Sequence, residues 1–339
     1  MLKSNLGPFF DLNTKGYSLF LSHDDEEDEF CVYKKDSCSL YWKANDSFCD
    51  NAFDANEFSK VFTKNKIGAK DDFDVLMDGI SSNGKKYPVK TSETLTSPSI
   101  ETFVVESVEA ANFSEKLKFV AGGTTNIIDA YSDIENVFLT KKGEAVILVS
   151  SNICSVSYID TGLKCKESFC YKVMTDAVVN TAKLISFFKD SKFTFAIGKE
   201  KNNDYFYIAS DSFEAVINLV PCQMPFSLEF ERVSSEKEDI SISTSIANLK
   251  KAITDEKKNL PSALQKFFGV KAVFADSVLS VGENHKFEIS SPINMTMAAS
   301  DIVRLPFENP KSETTVINVA SYDKFYEISH EDCNELIIK

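Results

Sequence analysis

The chain has 339 residues, of which 43% are apolar and 26% charged, and its formal net charge is -14. This composition is ordinary for a globular protein of two or three domains and excludes a fibrous or disordered chain. No apolar run approaches the roughly 18 residues of a membrane helix, and the N-terminus lacks a secretory signal, so we expect a cytoplasmic protein with no membrane partner.

The eight cysteines predict neither a metal site nor a disulfide framework. Their spacings include no C-x2-C pair, which is the usual arrangement in zinc sites. Several fall in predicted strands, where a reduced thiol behaves as a small apolar side chain. We therefore expect free and mostly buried cysteines, and no metal.

The first part of the chain predicts a hairpin, a helix and a connector. Six consecutive acids at 24–29 separate two apolar strands, 17–21 and 30–33, and predict a solvated hairpin loop. The helix spans 54–66, is capped by Asp54 or one of its neighbours, and precedes a strand at 73–77. Residues 85–99 contain two prolines and a Ser/Thr cluster, which favour a connector.

The middle of the chain contains one pattern twice: a strand, an amphipathic helix, then three strands joined by tight turns. In the first copy the strand is 102–106, the helix 109–120, and the three strands 136–140, 145–150 and 153–159. In the second copy the corresponding segments are 169–173, 176–188, 192–197, 204–210 and 213–220. Repetition of this kind decides the architecture before any single residue does.

The last part repeats the same order less completely. After a second connector at 221–225, we predict a strand, two helices and five further strands: 240–243, helices 246–258 and 262–268, then 271–274, 278–281, 286–290, 314–319 and 325–328. From residue 302 onward no helix is predicted. The fold class is therefore α+β, mostly antiparallel sheet with few short helices, in three domains at 1–97, 98–222 and 223–339.

Lysine recurs on the helix faces that point away from the predicted core. Each long helix has an apolar stripe with i, i+3, i+4 spacing, and at 100° per residue its lysines fall on the opposite side, as does Asn180. These lysines are Lys60, Lys64, Lys118, Lys183, Lys251 and Lys258. One explanation is that lysine is a good exposed helix former, and the other is that the faces together meet a polyanion.

Consecutive strand–helix–three-strand units with lysines outside their helices resemble the DNA sliding clamps, particularly the phage members. The resemblance is strongest over 101–220, and in the first part residues 3–11 would be a shortened first helix. It implies a ring whose helices line a central hole and whose lysines make loose phosphate contacts with duplex DNA. Three domains would close as a dimer and two as a trimer, inside a bacterial or phage-infected cell.

The same resemblance implies protein partners, namely a replicative DNA polymerase and a clamp loader. Clamps hold partner peptides in an apolar pocket near an interdomain connector. In this chain that expectation falls on Pro221, Met224, Pro225, Phe226 and Leu228.

No catalytic residue and no cofactor site is predicted. The three histidines read as surface residues, and no nucleotide-binding, serine-hydrolase or zinc-protease motif is present. The acid pairs Asp71–Asp72 and Glu331–Asp332 lack the supporting groups of a metal-dependent nuclease. The alternative to a clamp is a non-enzymatic, virus-type structural or interaction protein, which would need no lysine faces.

Overall fold

The computed structural model describes residues 3–23, 28–43, 50–68, 71–92, 101–109, 112–124, 135–151, 155–190, 192–200, 203–225, 238–260, 269–307, 309–322, 325–331 and 333–338. Among these residues every strand pairing is antiparallel, and the helices are short. The predicted α+β class is confirmed.

Six copies of one repeat make up the chain, each with a helix followed by three strands. Repeat 1 has a 3-10 helix at Lys3–Asp11, then β1 (Ser18–His23), β2 (Asp28–Lys34) and β3 (Cys38–Lys43). Repeat 2 has β4 (Asn51–Asp54), α1 (Ala55–Lys64), β5 (Phe73–Leu76), β6 (Gly79–Ser82) and β7 (Lys85–Pro88). Repeat 3 has β8 (Glu101–Glu109), α2 (Phe113–Ala121), β9 (Val137–Lys142), β10 (Ala145–Ser151) and β11 (Ser155–Lys164).

The second half continues in the same order. Repeat 4 has β12 (Cys170–Val173), α3 (Thr175–Phe188), β13 (Lys192–Glu200), β14 (Asn203–Ala209) and β15 (Phe213–Pro221). Repeat 5 has β16 (Glu238–Ile242), α4 (Ile246–Asn259), β17 (Lys271–Ala275), β18 (Val278–Val281) and β19 (His285–Glu288). Repeat 6 has β20 (Met295–Ala298), α5 (Ala299–Arg304), β21 (Thr315–Ser321), β22 (Phe325–His330) and β23 (Cys333–Ile338).

Contacts divide the chain into two compact units, each of which draws on two separate stretches. The first unit comprises Met1–Ser114 and Tyr171–Cys222, and the second Glu115–Cys170 and Gln223–Lys339. The proposed three-domain boundaries are a different division, by repeats rather than by contacts, and they stay a prediction.

The first unit contains a nine-stranded sheet and a three-stranded one. Eight strands of the larger sheet lie in the order β4-β1-β2-β3-β15-β14-β13-β8, β12 pairs with the end of β15, and the smaller sheet is β5-β6-β7. Helix α1 covers its sheet with Ala55, Phe58 and Phe62, all buried. Phe58 and Phe62 make ring contacts with aromatic side chains of repeat 1 and of their own repeat, at centroid distances of 5.0 to 5.6 Å: Phe9, Phe10, Phe53 and Phe73.

The second unit has a seven-stranded sheet in the order β16-β21-β22-β23-β11-β10-β9, and a four-stranded sheet β19-β18-β17-β20. Helix α4 begins at Ser245, whose side chain accepts from the backbone N–H of Asn248, and buries Ile246, Leu249 and Ile253.

The third strand of a repeat joins one repeat to another in both units. β3 pairs with β15 over Cys38–Trp42 and Phe213–Ile217, and β11 pairs with β23 over Ser155–Ile159 and Cys333–Ile337. In each case the first residue of one strand lies opposite the fifth of the other. Repeat 1 thus joins repeat 4, and repeat 3 joins repeat 6.

Several predicted boundaries are corrected by the structure. Residues 85–88 form β7 rather than a connector, because the turn at Asn83–Gly84 returns the chain alongside β6. Helix α2 begins at Phe113 rather than at residue 109, since β8 continues to Glu109 in register with β13. A helix and two strands were missed in the last part, namely α5, β20 and β23. The helix predicted at 262–268 lies outside the described residues.

Other predictions are confirmed. The 3-10 helix occupies the place of the shortened first helix, α3 and α4 match their predicted spans to within one residue, and β1 and β2 form the predicted hairpin. Of the cysteines described, Cys31, Cys38 and Cys333 are buried thiols, while Cys165, Cys170 and Cys222 are half-buried thiols.

Candidate nucleic-acid interface

The predicted lysines all lie outside the apolar stripes of their helices. Lys60 and Lys183 are half-buried, and the other four are exposed, namely Lys64, Lys118, Lys251 and Lys258. Their common orientation toward one ligand is not established by these exposures, so their role at DNA stays a prediction.

Helix α1 illustrates why the lysines are placed outward. The Asp54 side chain accepts from the backbone N–H of Glu57 at 2.9 Å, which fixes the first turn of the helix. The buried stripe then sets the rotation of the helix, and Lys60 and Lys64 follow one turn apart on its solvent side. Spacing and cap together therefore determine where these cations lie.

Three of the lysines are paired with an acid on their own helix. Lys60 donates to Glu57 at 2.8 Å, Lys118 to Glu115 at 2.7 Å, and Lys258 to Asp255 at 2.8 Å. The bond from Lys60 lowers the pKa of Glu57, and the bond from Lys258 lowers that of Asp255. Such exposed i,i+3 pairs are weak, so a phosphate could replace the carboxylate at little cost.

Helix α3 differs from the prediction at Asn180, which is fully buried rather than outside. Its side chain accepts from the backbone N–H of Asn13 at 2.7 Å and donates to the Asn13 carbonyl at 3.1 Å. Residues following the 3-10 helix therefore cover a second side of α3, which the apolar stripe alone does not reveal. Partial burial lowers the pKa of Lys183, and Asp11 opposes that shift.

A pocket of about 380 Å³ in the second unit brings together cations from three helices. Lys118 of α2, Lys250 of α4 and Arg304 of α5 line it, beside the apolar side chains of Phe119 and Phe307. Lys250 and Arg304 were missed from the sequence. Lys250 could have been found as the neighbour of Lys251, whereas Arg304 lies in a helix that was not predicted.

The predicted partner-peptide residues are only partly described. Pro221 ends β15 and is exposed, Met224 is half-buried and Pro225 is exposed, whereas Phe226 and Leu228 lie outside the described residues. Their part in a pocket stays a prediction.

The described residues contain neither a candidate metal centre nor a membrane-spanning helix. Within them no group of three or more His, Cys, Asp or Glu side chains could hold a metal ion. None of the helices in this part of the chain is long and apolar enough to cross a membrane.

Neither a family profile nor a curated protein sequence matches this chain. Solved structures do. A DNA polymerase sliding clamp from Pseudomonas aeruginosa is similar over 100% of this chain and 98% of its own, with a TM-score of 0.62 and 9% identity. For the DNA polymerase III beta subunit from Thermotoga maritima the coverages are 100% and 93%, the TM-score 0.61 and the identity 12%.

A third solved structure is similar over nearly the same extent. The DNA polymerase III beta subunit of Borrelia burgdorferi, in complex with a natural product, is similar over 96% of this chain and 91% of its own, with a TM-score of 0.64 and 12% identity. Identities this low establish the fold alone. Since each likeness covers nearly the whole of both chains, this chain has the fold of the DNA sliding clamps.

Proposed function

We propose that this protein is a DNA sliding clamp, a non-enzymatic cytoplasmic ring that encircles duplex DNA and tethers a replicative polymerase. One observation carries the proposal: lysines lie on the solvent side of α1, α2, α3 and α4, in a chain of net charge -14 whose fold is that of the clamps. Helix propensity and weak ion pairs favour exposed lysines one helix at a time, whereas a ring that slides on a polyanion needs them on all of these helices.

In the proposed mechanism the ring stays on DNA because it encloses the duplex. The lysines make only weak contacts with the phosphates. Exposed lysines, three of them in weak ion pairs with a carboxylate of their own helix, bind each phosphate weakly and read no base. The excess of acid elsewhere on the chain disfavours adsorption of DNA to other surfaces. The ring is therefore held on DNA by closure rather than by affinity.

Six repeats support three domains of two repeats each, and three such domains fit the dimeric form of ring. A clamp loader would open and close it, and the polymerase would bind through a peptide near Pro221, Met224, Pro225, Phe226 and Leu228.

The ring is tested by the solution mass together with two-dimensional particle images of the purified protein. We expect a mass twice that of the 37.9 kDa chain and a closed two-fold ring with a central hole wide enough for duplex DNA. A compact monomer at all concentrations would overturn the ring and favour the interaction protein instead.

The lysine faces are tested by charge reversal. Lys60, Lys118, Lys183 and Lys251 are changed together to Glu, and binding to a short duplex is measured by fluorescence anisotropy across salt concentrations. Because each phosphate contact contributes about 0.9 to the log–log salt slope and a dimeric ring loses eight lysines, the slope should fall by up to about 7 and binding at low salt should be lost.

A matched variant controls for net charge. It reverses four exposed lysines outside the helices: Lys15, Lys164, Lys271 and Lys311. The proposal predicts that this variant binds nearly as the wild type does, apart from a weaker long-range attraction. Equal loss in both variants would mean that total charge, rather than the helix faces, governs DNA binding.

A further inference from the structure

The pocket that Lys118, Lys250 and Arg304 line exists because α5 is short. Pro306 disfavours helical geometry in the residue before it, and Leu305 is accordingly extended, with a ψ of 135°. Helix α5 therefore ends at Arg304 after six residues, whereas α4 has 14. The chain beyond Arg304 forms the third wall, and a recess of about 380 Å³ remains between it, α2 and α4. We call this recess the α5 pocket.

Positive charge dominates the α5 pocket. Its lining has three cations, Lys118, Lys250 and Arg304, and one carboxylate, Glu115, which together give a net charge of +2. Glu335 contacts Arg304 from the protein interior, but burial raises the pKa of Glu335 to about 8, so most of this carboxyl is protonated at pH 7. Glu335 therefore does not cancel the charge of Arg304 at that pH.

The three cations are available to a ligand in different ways. Lys250 is exposed, and its side chain makes no hydrogen bond or ion pair with another residue that the structure describes. Lys118 makes a weak surface pair with Glu115. Arg304 donates to Gly122, Ser157 and Glu335, which fixes its guanidinium and still leaves part of its five N–H groups unused. A ligand would meet one fixed cation and two adjustable ones, which lowers the entropic cost of binding.

The rest of the lining is largely apolar. Phe119 is 2% exposed, with the Arg304 guanidinium over its ring, and Pro306, Phe307 and Pro310 line the same pocket. Apolar walls lower the local dielectric constant, so an attraction between charges is stronger there than on an open surface. These walls also offer contacts to the carbon skeleton of a ligand.

We propose that the α5 pocket binds a phosphate monoester. A monoester carries a charge of about −1.5 to −2 at pH 7, which matches the net charge of the lining, whereas a phosphodiester carries a single charge. A monoester also projects from the molecule that bears it and can enter a recess, while a diester in a DNA backbone is bonded on both sides. The ligand is either a free nucleotide or the 5′-phosphate at the end of a DNA strand. This site goes beyond the proposed ring and does not depend on it.

Isothermal titration calorimetry with thymidine 5′-monophosphate tests the site. At pH 7 and low salt we expect one saturable site per chain. Thymidine, which lacks the phosphate, should not bind. Dimethyl phosphate, which is a diester, should bind about tenfold more weakly or worse, because it offers one charge fewer to the same cations.

Two lysines of α4 provide a variant and its matched control. Lys250→Gln removes the cation that has no other partner, and it should weaken binding of the monophosphate about fivefold or more. Lys257 is exposed on the same side of α4, about two turns further on and outside the pocket, so Lys257→Gln should leave binding nearly unchanged. Both positions are exposed, and equal midpoint temperatures of thermal unfolding in the two variants check that the fold is retained.

DNA ends distinguish the two sources of the phosphate. A short duplex with 5′-phosphates competes with the monophosphate, and the same duplex with 5′-hydroxyl ends is its control. If the ligand is a DNA end, the phosphorylated duplex competes better, and Lys250→Gln abolishes the difference. If the ligand is a free nucleotide, the two duplexes compete equally while the monophosphate still binds.

The outcomes separate this proposal from the proposed function. The α5 pocket is not a monoester site if the monophosphate shows no saturable binding, if dimethyl phosphate binds equally well, or if Lys250→Gln and Lys257→Gln weaken binding equally. None of these results bears on ring closure. A compact monomer in particle images, together with binding of the monophosphate that depends on Lys250, would refute the clamp and leave the pocket.

Discussion

Replacing Arg304 with Leu should strongly destabilise the second compact unit. The Arg304 guanidinium donates to the carbonyl of Gly122 at 2.8 Å, to Ser157 Oγ at 2.9 Å and to the Glu335 carboxylate, and it lies 5.3 Å from the centre of the Phe119 ring. Gly122, Ser157 and Phe119 belong to repeat 3 and Glu335 to repeat 6. The Arg304 side chain therefore contacts both of the repeats that the β11–β23 pairing joins.

The magnitude follows from the burial of the pair. The Glu335 side chain is fully buried and that of Arg304 is 18% exposed, so the substitution leaves a carboxylate with no cation in the interior. Removing one member of a buried pair costs about 3–5 kcal/mol. The lost hydrogen bonds to Gly122 and Ser157 are part of this figure rather than additional to it.

The cost should depend on pH with a definite sign. Burial raises the pKa of Glu335 to about 8, and the charge of Arg304 acts against that rise. Without Arg304 the pKa rises further. A carboxyl whose folded pKa is raised stabilises the fold below its unfolded pKa, and this contribution is lost as pH rises through the folded pKa. Below about pH 8 the group is protonated in both folded proteins and the two lose stability in parallel, so the deficit of the Arg304→Leu variant should grow as pH rises above about 8.

Urea denaturation followed by circular dichroism at pH 8 and pH 10 measures both effects. The double variant Arg304→Leu/Glu335→Leu is the control, and it should recover most of the loss because no unpaired charge remains. A single variant within about 1 kcal/mol of wild type at pH 8, or a deficit that shrinks as pH rises, would refute the reasoning.

Two further substitutions test packing in each unit. Asn180→Ala should lower the free energy of unfolding by about 1–3 kcal/mol, because it leaves the backbone groups of Asn13 without partners; an unchanged urea midpoint would contradict the buried position of Asn180. Gly282→Ala should lower the midpoint temperature of thermal unfolding more than Gly84→Ala does. Both glycines have positive φ, but a Cβ at Gly282 would lie 2.4 Å from the Glu256 carboxyl, whereas one at Gly84 meets open space. Equal decreases in the midpoint temperature of the two variants would exclude that clash.

The longer helices could be predicted because their sequences carry two agreeing signals. In α1 and α4 an apolar stripe of period 3.6 follows a capping residue, Asp54 or Ser245, whose side chain does accept from the first turn. Period and cap are local properties, so no knowledge of the rest of the chain is required.

Helix α5 could not be predicted on the same basis. It has six residues, of which only Ala299 and Ile302 are buried, so no repeating stripe exists. Its place is fixed by contacts far along the chain, above all by Arg304 with Gly122 and Glu335. A helix that is stabilised by tertiary contacts, and that has no periodic apolar stripe, cannot be predicted from the local sequence pattern.

The candidate site also has features that the sequence predicts and features that it does not. The outward position of Lys64, Lys118 and Lys251 follows from helical period and was predicted. The burial of Asn180, and the meeting of Lys118 with Lys250 and Arg304 at one pocket, depend on which elements pack together. Sequence spacing contains no information about that choice.

The two internal junctions explain how this fold persists at 9% to 12% identity with solved clamps. At one junction Ala215 faces Leu40, and at the other Ser157 faces Glu335, yet the register is identical. Backbone N–H and C=O groups form the ladder, so the side chains are constrained only to be inward or outward. The proposed sliding on DNA would constrain them equally little, because a loose phosphate contact needs a cation on a face rather than a residue at a position. A fold that depends on such patterns, and the proposed function with it, can be retained while nearly every residue changes, which is why the likeness is visible in the structure and not in the sequence.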